Sequence, residues 1–518
     1  MNIGHVIARA AKQYADNICV VAGDERITFR TANERINRLA NALLGLGLEK
    51  GDRVAILMGN CLQCVEVDYA IAKAGVVRVP LNARLSANEH AIIVDETEAK
   101  AFIIGPNYVE HVESIRGQIP SVKHFIYVSG NSGQGIGYES MLAGSSPAEP
   151  GIEVDEEDLY TIQYTSGTTG RPRGVMWQHR SILASMMGYL AELDPIREDH
   201  AIMHVGQMTH AAGVFMLPHF ARGARQVVMK KFDPKALCET IERDRITFTV
   251  LAPTMIYMLL AYPEIKKHDL SSLRTILYAM SPMSVERLKE AISILGPVFV
   301  QGYGLSEGNP PVTHLDREDH VVDGSPEKVR RLASCGRPSI GVEVKVVDEN
   351  DVEVKPGEVG QIICRGRNVM KGYWKRPEET AQALRNGWLY TRDMATVDEA
   401  GYIYIVDRKD DTMISGGFNV YPREVEEVLY AHPSVHETAV VPVPDEKWGE
   451  AIKAVVVLKS GATATEQEII DFCGERLTRF KKPKSVDFVD SLPKDGNGKL
   501  LRRVLREKYW QGYERRVN

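Results

Sequence analysis

The run Tyr164-Thr-Ser-Gly-Thr-Thr-Gly-Arg-Pro-Arg-Gly174 packs hydroxyls, glycines and arginines into eleven residues, a composition that no packed core requires. It reads as a loop that holds phosphate. Glycines at 167, 170 and 174 let backbone approach an anion closely, and the hydroxyls of Thr165, Ser166, Thr168 and Thr169 can donate to its oxygens. Arg171 and Arg173 add positive charge. The stretch is not a Walker loop, since it lacks the Gly-Lys-Ser/Thr ending. Residues 159–164 before it are apolar and β-forming, and Ser181 to Leu193 carries a helical pattern, so the loop is expected between a strand and a helix.

Outward from this loop the chain alternates helical and strand patterns. Ile36 to Leu46 reads as a helix closing at Gly45 or Gly47, and residues 53–58 as a buried strand. A helix from Pro234 to Arg243, a strand from Ile246 to Leu251 and a helix opening at Pro253 repeat the order, as expected of parallel sheets covered by helices. After Gly341 short strands at 342–347 and 360–365 suggest a small β-subdomain. Beyond Asp411 the strand-like stretches 438–443, 451–458 and 485–489 flank a helix at 466–479. The expected fold is α/β: a large N-terminal domain of helix-covered sheets with a small β-subdomain, residues 1–409, and a small mobile α+β C-terminal domain, residues 410–518.

Further motifs stand in order along the chain: Gln301-Gly-Tyr-Gly-Leu-Ser-Glu307, Gly387-Trp-Leu-Tyr-Thr-Arg-Asp393, Asp407-Arg-Lys-Asp-Asp411, Ser415-Gly-Gly417 and Pro493-Lys-Asp-Gly-Asn-Gly-Lys499. Together with the first loop they resemble the adenylate-forming superfamily, which includes acyl-CoA synthetases, the adenylation domains of peptide synthetases and firefly luciferase. The resemblance implies an acid–thiol ligase that converts a carboxylic acid, fatty or aromatic, and ATP to an acyl-adenylate and pyrophosphate, then passes the acyl group to CoA and releases AMP. Two other readings stand beside it: an adenylation enzyme that loads a carrier protein, and a non-catalytic nucleotide-binding relative.

The resemblance also assigns residues. Thr165, Ser166, Gly167, Thr168, Thr169, Gly170 and Arg173 would hold the phosphates of ATP, with Thr165 counted among the catalytic groups. Ser281, Pro282, Gln301, Gly302, Tyr303, Gly304 and Ser306 would enclose the nucleotide, Tyr303 by stacking on adenine. Asp393 would accept from the ribose hydroxyls beside Arg408. Glu307 would hold Mg²⁺, the one metal implied. His210, Gly213, Ala279, Met280 and Tyr303 would line the acyl pocket. Ser415, Gly416 and Gly417 would line the CoA tunnel, and Asp410 would be the hinge. Lys499 would stabilise charge developing between the carboxylate and the α-phosphate. Amino-acid-activating relatives present an Asp where His210 stands, so an amino-acid substrate is not expected.

The chain departs from the family pattern at three places. Arg173 replaces a Lys, Ala279-Met280-Ser281 replaces a Gly-Gly-Ala run, and Arg392 replaces the glycine of Thr-Gly-Asp. The first keeps charge but changes geometry. The second predicts a bulkier acyl wall that favours a compact or aromatic acid, with an extended apolar acid still open because Met adapts. The third requires either a backbone free of glycine-only angles or a reshaped nucleotide pocket.

Composition excludes more than it assigns. At 518 residues with 44% hydrophobic and 25% charged, the chain suits a soluble multidomain protein, and a net charge of −6 argues against a general nucleic-acid binder. No apolar run of about 18 residues suggests an integral membrane segment. Seven cysteines point to a reducing, cytoplasmic setting rather than a disulfide framework, and Cys61-Leu-Gln-Cys64 reads as packing on one helix rather than a zinc site. The assembly state is open, a homodimer included.

Overall fold

The computed structural model describes residues 1–128, 135–165, 172–409, 413–415, 418–445, 449–494 and 500–511. Among them, two large sheets carry the N-terminal part. The eight-stranded sheet has a parallel centre, Val77–Pro80 beside Arg53–Leu57, then Ala101–Ile104 and His124–Tyr127. These strands are short and buried on both faces, so they read as continuous Val, Ile and Ala runs rather than alternating ones. The nine-stranded sheet is likewise parallel through Arg225–Val228, Ala201–His204, Phe248–Leu251, Thr275–Tyr278 and Phe299–Tyr303.

Between the sheets lies a hydrophobic core. It includes Ile7 and Phe29 from the helices Ile3–Gln13 and Phe29–Gly45, Tyr69 from Gln63–Ala74, and Phe220 from Met216–Ala221. The Phe220 ring meets Phe29 at 4.8 Å and Tyr69 at 4.9 Å, both edge-on, which is the favoured arrangement for aromatic quadrupoles.

One sequence expectation is corrected. The strand Leu159–Thr165 is followed by a second strand, Arg173–Gln178, before the helix His179–Glu192 begins, so the phosphate-type loop closes an antiparallel hairpin. Thr165 pairs with Arg173 and Tyr164 with Gly174. The role read for Gly174 changes with it. A Cβ there would lie 2.6 Å from Ile162 Cγ2 and 3.0 Å from the Tyr164 ring, so the glycine makes room for its strand neighbours.

The antiparallel strands Val342–Val347, Gly360–Gly366, Trp388–Val397 and Ile403–Arg408 form the expected β-subdomain. A last sheet pairs Val435–Asp445 with Gly449–Leu458 and adds Ser485–Phe488 in parallel. The helix Glu466–Gly474 ends five residues sooner than the expected 479. The helix Pro422–Tyr430 docks this sheet on the β-subdomain: the Arg423 amide donates to Asp407 Oδ2 at 3.1 Å and Arg423 Nη1 to the Ile405 carbonyl at 2.9 Å. No described helix is long and apolar enough to cross a membrane.

Burial leaves its mark on the histidines. It pushes His179, His204 and His320 down to about 4 and His210 and His219 down to about 3. In the unfolded chain each titrates near ~6.5. Below that value the unfolded state takes up protons that the folded state refuses, so stability that is whole above about pH 6.5 is lost as pH falls toward 3 to 4. Asp68, Asp407 and Glu427, raised by burial, act in the opposite sense from carboxylate values near ~4. The midpoint of thermal unfolding should therefore drop steadily from pH 7 to pH 5, and a flat profile over that range would contradict the burial of these imidazoles.

Candidate active site

The hairpin, the 301–307 segment and residues 370–374 are tied into one unit. Trp177 Nε1 donates to the Ser306 carbonyl at 2.6 Å, the Met370 amide to the Glu307 carbonyl at 2.8 Å, and the Trp374 amide to the Gly174 carbonyl at 2.7 Å. Three stretches far apart in sequence thus present their polar groups together. Of the hairpin loop, Ser166, Gly167, Thr168, Thr169 and Gly170 lie outside the described residues, as do Asp410, Gly416, Gly417 and Lys499. Thr165 and Arg173 mark the two ends from which that loop springs.

Glu307 Oε1 accepts from the Tyr373 hydroxyl at 2.8 Å. Burial, and next the Glu307 charge, push that phenol well above its ordinary value, so it stays a donor. Arg173 lies against the same tyrosine, its guanidinium carbon 5.5 Å from the ring centroid, and its Nε contacts Glu379 Oε2 at 2.5 Å. A planar guanidinium suits this stacked, ion-paired position better than an ammonium would. Tyr373 and Glu379 carry no motif of their own, and sequence reasoning passed over them.

A second polar group surrounds Asp393. The Tyr303 hydroxyl donates to Asp393 Oδ2 at 2.7 Å, and Arg408 Nε lies 3.2 Å from Oδ1. Burial and the neighbouring Asp393 raise the Tyr303 phenol, which keeps its proton. The carboxylate is buried, and each of its oxygens has a lone pair left for a further donor. Arg392 sits beside it at φ 65°, and Met280 at φ 75°. At both departures from a family glycine the backbone holds the left-handed conformation all the same. Gln301, on Phe299–Tyr303, has a buried Oε1 without a hydrogen-bond partner, an orphan acceptor in the same neighbourhood.

His210 lies on the loop after Ala201–His204. Its Nδ1 meets Thr209 Oγ1 at 3.0 Å, while its Nε2 is buried with no partner. Burial first, then the Arg78 charge, keeps the ring neutral. The loop is held from behind by Arg78, whose Nη2 donates to the Thr209 carbonyl at 2.9 Å, and by Asn60, whose Oδ1 accepts from the Met208 amide at 2.9 Å. Ala279 packs against the apolar cluster of Phe215, Leu277 and Val300. Gly304 abuts Pro310, where a Cβ would come within 2.5 Å of the ring, and Ser281 is half-buried while Met280 and Pro282 are exposed. No group of three or more His, Cys, Asp or Glu side chains that could hold a metal ion is found among the described residues.

Residues 7–374 match the family model for the AMP-binding enzyme, and residues 424–499 match that for its C-terminal domain. The chain belongs to the AMP-binding enzyme family. A medium/long-chain fatty-acid–CoA ligase of Mycobacterium tuberculosis is 36% identical over 99% of this chain and 91% of its own. A feruloyl-CoA synthase of an Amycolatopsis species is 36% identical over 98% and 99%. The crystal structure of an anthranilate–CoA ligase with anthranoyl-AMP superposes with a TM-score of 0.90, at 27% identity, over 98% of this chain and 97% of that one. The mixed α/β architecture with its large N-terminal portion is thus that of AMP-binding enzymes.

Gly213 tests the His210 loop in this AMP-binding enzyme. A Cβ there would lie 2.0 Å from the Met208 carbonyl oxygen, a backbone atom that cannot step aside cheaply. Gly213→Ala should displace residues 208–210 and raise the KM for the carboxylic acid by on the order of tenfold to a hundredfold, with the KM for ATP moved by less than about twofold. Equal changes in both constants would detach this loop from the acid.

Proposed function

We propose that this AMP-binding enzyme is an acid–CoA ligase that joins a fatty or aromatic carboxylic acid to ATP as an acyl-adenylate, releases pyrophosphate, and transfers the acyl group to CoA with loss of AMP. The observation that carries the reading is the Tyr303–Asp393–Arg408 group beside the Glu307–Tyr373–Arg173 group, at the root of the hydroxyl-rich loop. One offers an aromatic face and a carboxylate for a nucleoside; the other offers a carboxylate and a guanidinium for phosphates.

Glu307 fits a divalent cation. Tyr373 occupies Oε1, and the other oxygen can join the phosphates and water that a hard, six-coordinate Mg²⁺ prefers. When bound, the ion would neutralise phosphate charge. Thr165, Ser166, Gly167, Thr168, Thr169, Gly170 and Arg173 hold the triphosphate; Ser281, Pro282, Gln301, Gly302, Gly304 and Ser306 complete the nucleotide pocket. His210 deals with the acid as a neutral ring: in the tautomer whose Nδ1 accepts from the Thr209 hydroxyl, Nε2 carries the proton and can donate. Ala279 and Met280 shape the acyl end. The names of the relatives span fatty, cinnamic-type and benzoic-type acids, which is why both classes stay in the proposal. The domains divide at 409/410, with Asp410 as hinge and Ser415, Gly416 and Gly417 along the thiol's path. Seven free thiols suit a cytoplasmic setting.

The test is a panel of short, medium, long and aromatic acids with ATP, Mg²⁺ and CoA, with AMP and acyl-CoA followed by mass spectrometry. One acid class should yield both products. Lys499→Ala should cut adenylate formation by on the order of a hundredfold or more while thioester formation from supplied acyl-adenylate continues. Gly417→Leu should show the reverse pattern. Equal loss of both half-reactions in either variant would reject the role given to that residue.

A further inference from the structure

Cys61 and Cys64 do not share a helix as their spacing suggests: Cys64 lies on Gln63–Ala74, and Cys61 precedes it. Cys64 is sealed in the main core, whereas Cys61 stands partly exposed in the short segment 59–61, itself partly exposed throughout. The Cys64 amide donates to the Cys61 carbonyl at 3.1 Å, closing a turn that leaves the two sulfur atoms 3.8 Å apart. Core packing accounts for Cys64. Cys61 packs against the same core only in part.

The residue before Cys61 gives the pair its reach. Asn60 Nδ2 donates to the Gly206 carbonyl at 2.8 Å and to the Met229 carbonyl at 3.0 Å, and its Oδ1 accepts from the Met208 amide at 2.9 Å. One side chain from the eight-stranded sheet thus fastens two loops of the nine-stranded sheet. One of them runs directly into Thr209 and His210.

We propose that Cys61 and Cys64 form a reversible intramolecular disulfide, made by exchange with a low-molecular-weight disulfide, that loosens the acid-binding loop through Asn60. The loop's tie to the acid rests on the function proposed above; the disulfide does not. The two sulfurs divide the work. The hydrogen bond from Cys64, then the amides of Cys64 and Gln63, lower the Cys61 thiol, while the same sulfur contact, then burial, raise Cys64. Cys61 is therefore the attacking thiolate. It displaces one thiolate from the reagent disulfide and forms a mixed disulfide. Cys64 then gives up its proton and attacks Cys61 Sγ, expelling the second reagent thiol. Two protein thiols are oxidised, one reagent disulfide is reduced to two thiols, and no other electron carrier is required.

A disulfide holds its sulfurs about 2.05 Å apart, so the pair must close from 3.8 Å. Cys64 is fixed by the core, and the movement falls on Cys61 and on Asn60 beside it. Where that movement carries the Cys61 backbone with it, at least one of the three Asn60 bonds to the 206–208 loop and Met229 is strained or lost.

The full-length protein is treated with oxidised glutathione and quenched with acid. The tryptic peptide that runs from Val54 to Lys73 should lose two hydrogens with no glutathione attached, and amide exchange across residues 206–210 should quicken. The KM for the acid should rise about threefold to tenfold, as for the loss of one neutral hydrogen bond, and return with dithiothreitol. Cys61→Ser should keep the basal KM and respond to neither reagent, and Cys64→Ser should accumulate only the mixed disulfide at Cys61. A stable glutathione adduct in the unsubstituted protein would overturn the disulfide. A disulfide without faster exchange at 206–210 would overturn the coupling, whether or not the protein ligates any acid. Faster exchange with an unchanged KM for a substrate that is turned over would overturn the effect on acid binding.

Discussion

A buried guanidinium ties the His210 loop to the eight-stranded sheet. Arg78 stands on Val77–Pro80 in the eight-stranded sheet with almost no exposure, 2.9 Å from Asp68 Oδ1 through its Nε, and with Nη2 donating to the Thr209 carbonyl. The Tyr160 hydroxyl donates to the other Asp68 oxygen at 2.9 Å. Its Nε contact is a close ion pair rather than an aligned hydrogen bond, so the carbonyl of Thr209 is a necessary partner and not an extra one. A buried charge stripped of its partner costs about 3–5 kcal/mol. That penalty fixes where Thr209 lies, and His210 with it, from a strand in the other sheet.

Around Met280 and Arg392 the backbone is marked by strain rather than by a charge. Non-glycine residues in the left-handed region cost roughly 1–2 kcal/mol each. Met280 and Arg392 both occupy it, next to the segments that would hold adenine and ribose. The turn at Arg392 is held because Thr391 Oγ1 donates to the Ile362 carbonyl at 2.8 Å and accepts from the Asp393 amide at 3.1 Å, while Asp393 itself is gripped by Tyr303 and Arg408. Strain of this kind persists where the surroundings over-determine the backbone, and it concentrates at functional sites. Arg392 thus carries the left-handed angle itself, at a position where the absence of glycine suggested a backbone without one.

Local chemistry made the fold class and the motif residues legible. The helices at 29–45, 234–244 and 253–260 and the buried strands between them follow from apolar periodicity and from Pro and Gly at their ends. The hairpin around the hydroxyl-rich loop was not legible, because Arg173–Gln178 is short and declares itself a strand only by pairing with Leu159–Thr165 and with Gly372–Tyr373, some two hundred residues on. Tyr373, Glu379, Arg78 and Asn60 escaped for the same reason. Each acts by reaching a group distant in sequence, and nothing in its immediate neighbours marks it.

The connection to the C-terminal sheet sets a condition on any domain rotation. Asp407 and Arg423 lie on opposite sides of Asp410 in the chain, joined by the bond from the Arg423 amide to the Asp407 carboxylate and by that from Arg423 Nη1 to the Ile405 carbonyl. Asp407 is buried, its carboxyl raised by burial and drawn back by Arg502. A turn about Asp410 that carried Arg423 away would leave that carboxyl short of a donor in a water-poor setting, which costs more than a net hydrogen bond returns. Rotation thus needs water or a new partner at Asp407 in the second arrangement. The β-subdomain side of the joint would therefore take as much part in such a rotation as the residue about which it turned.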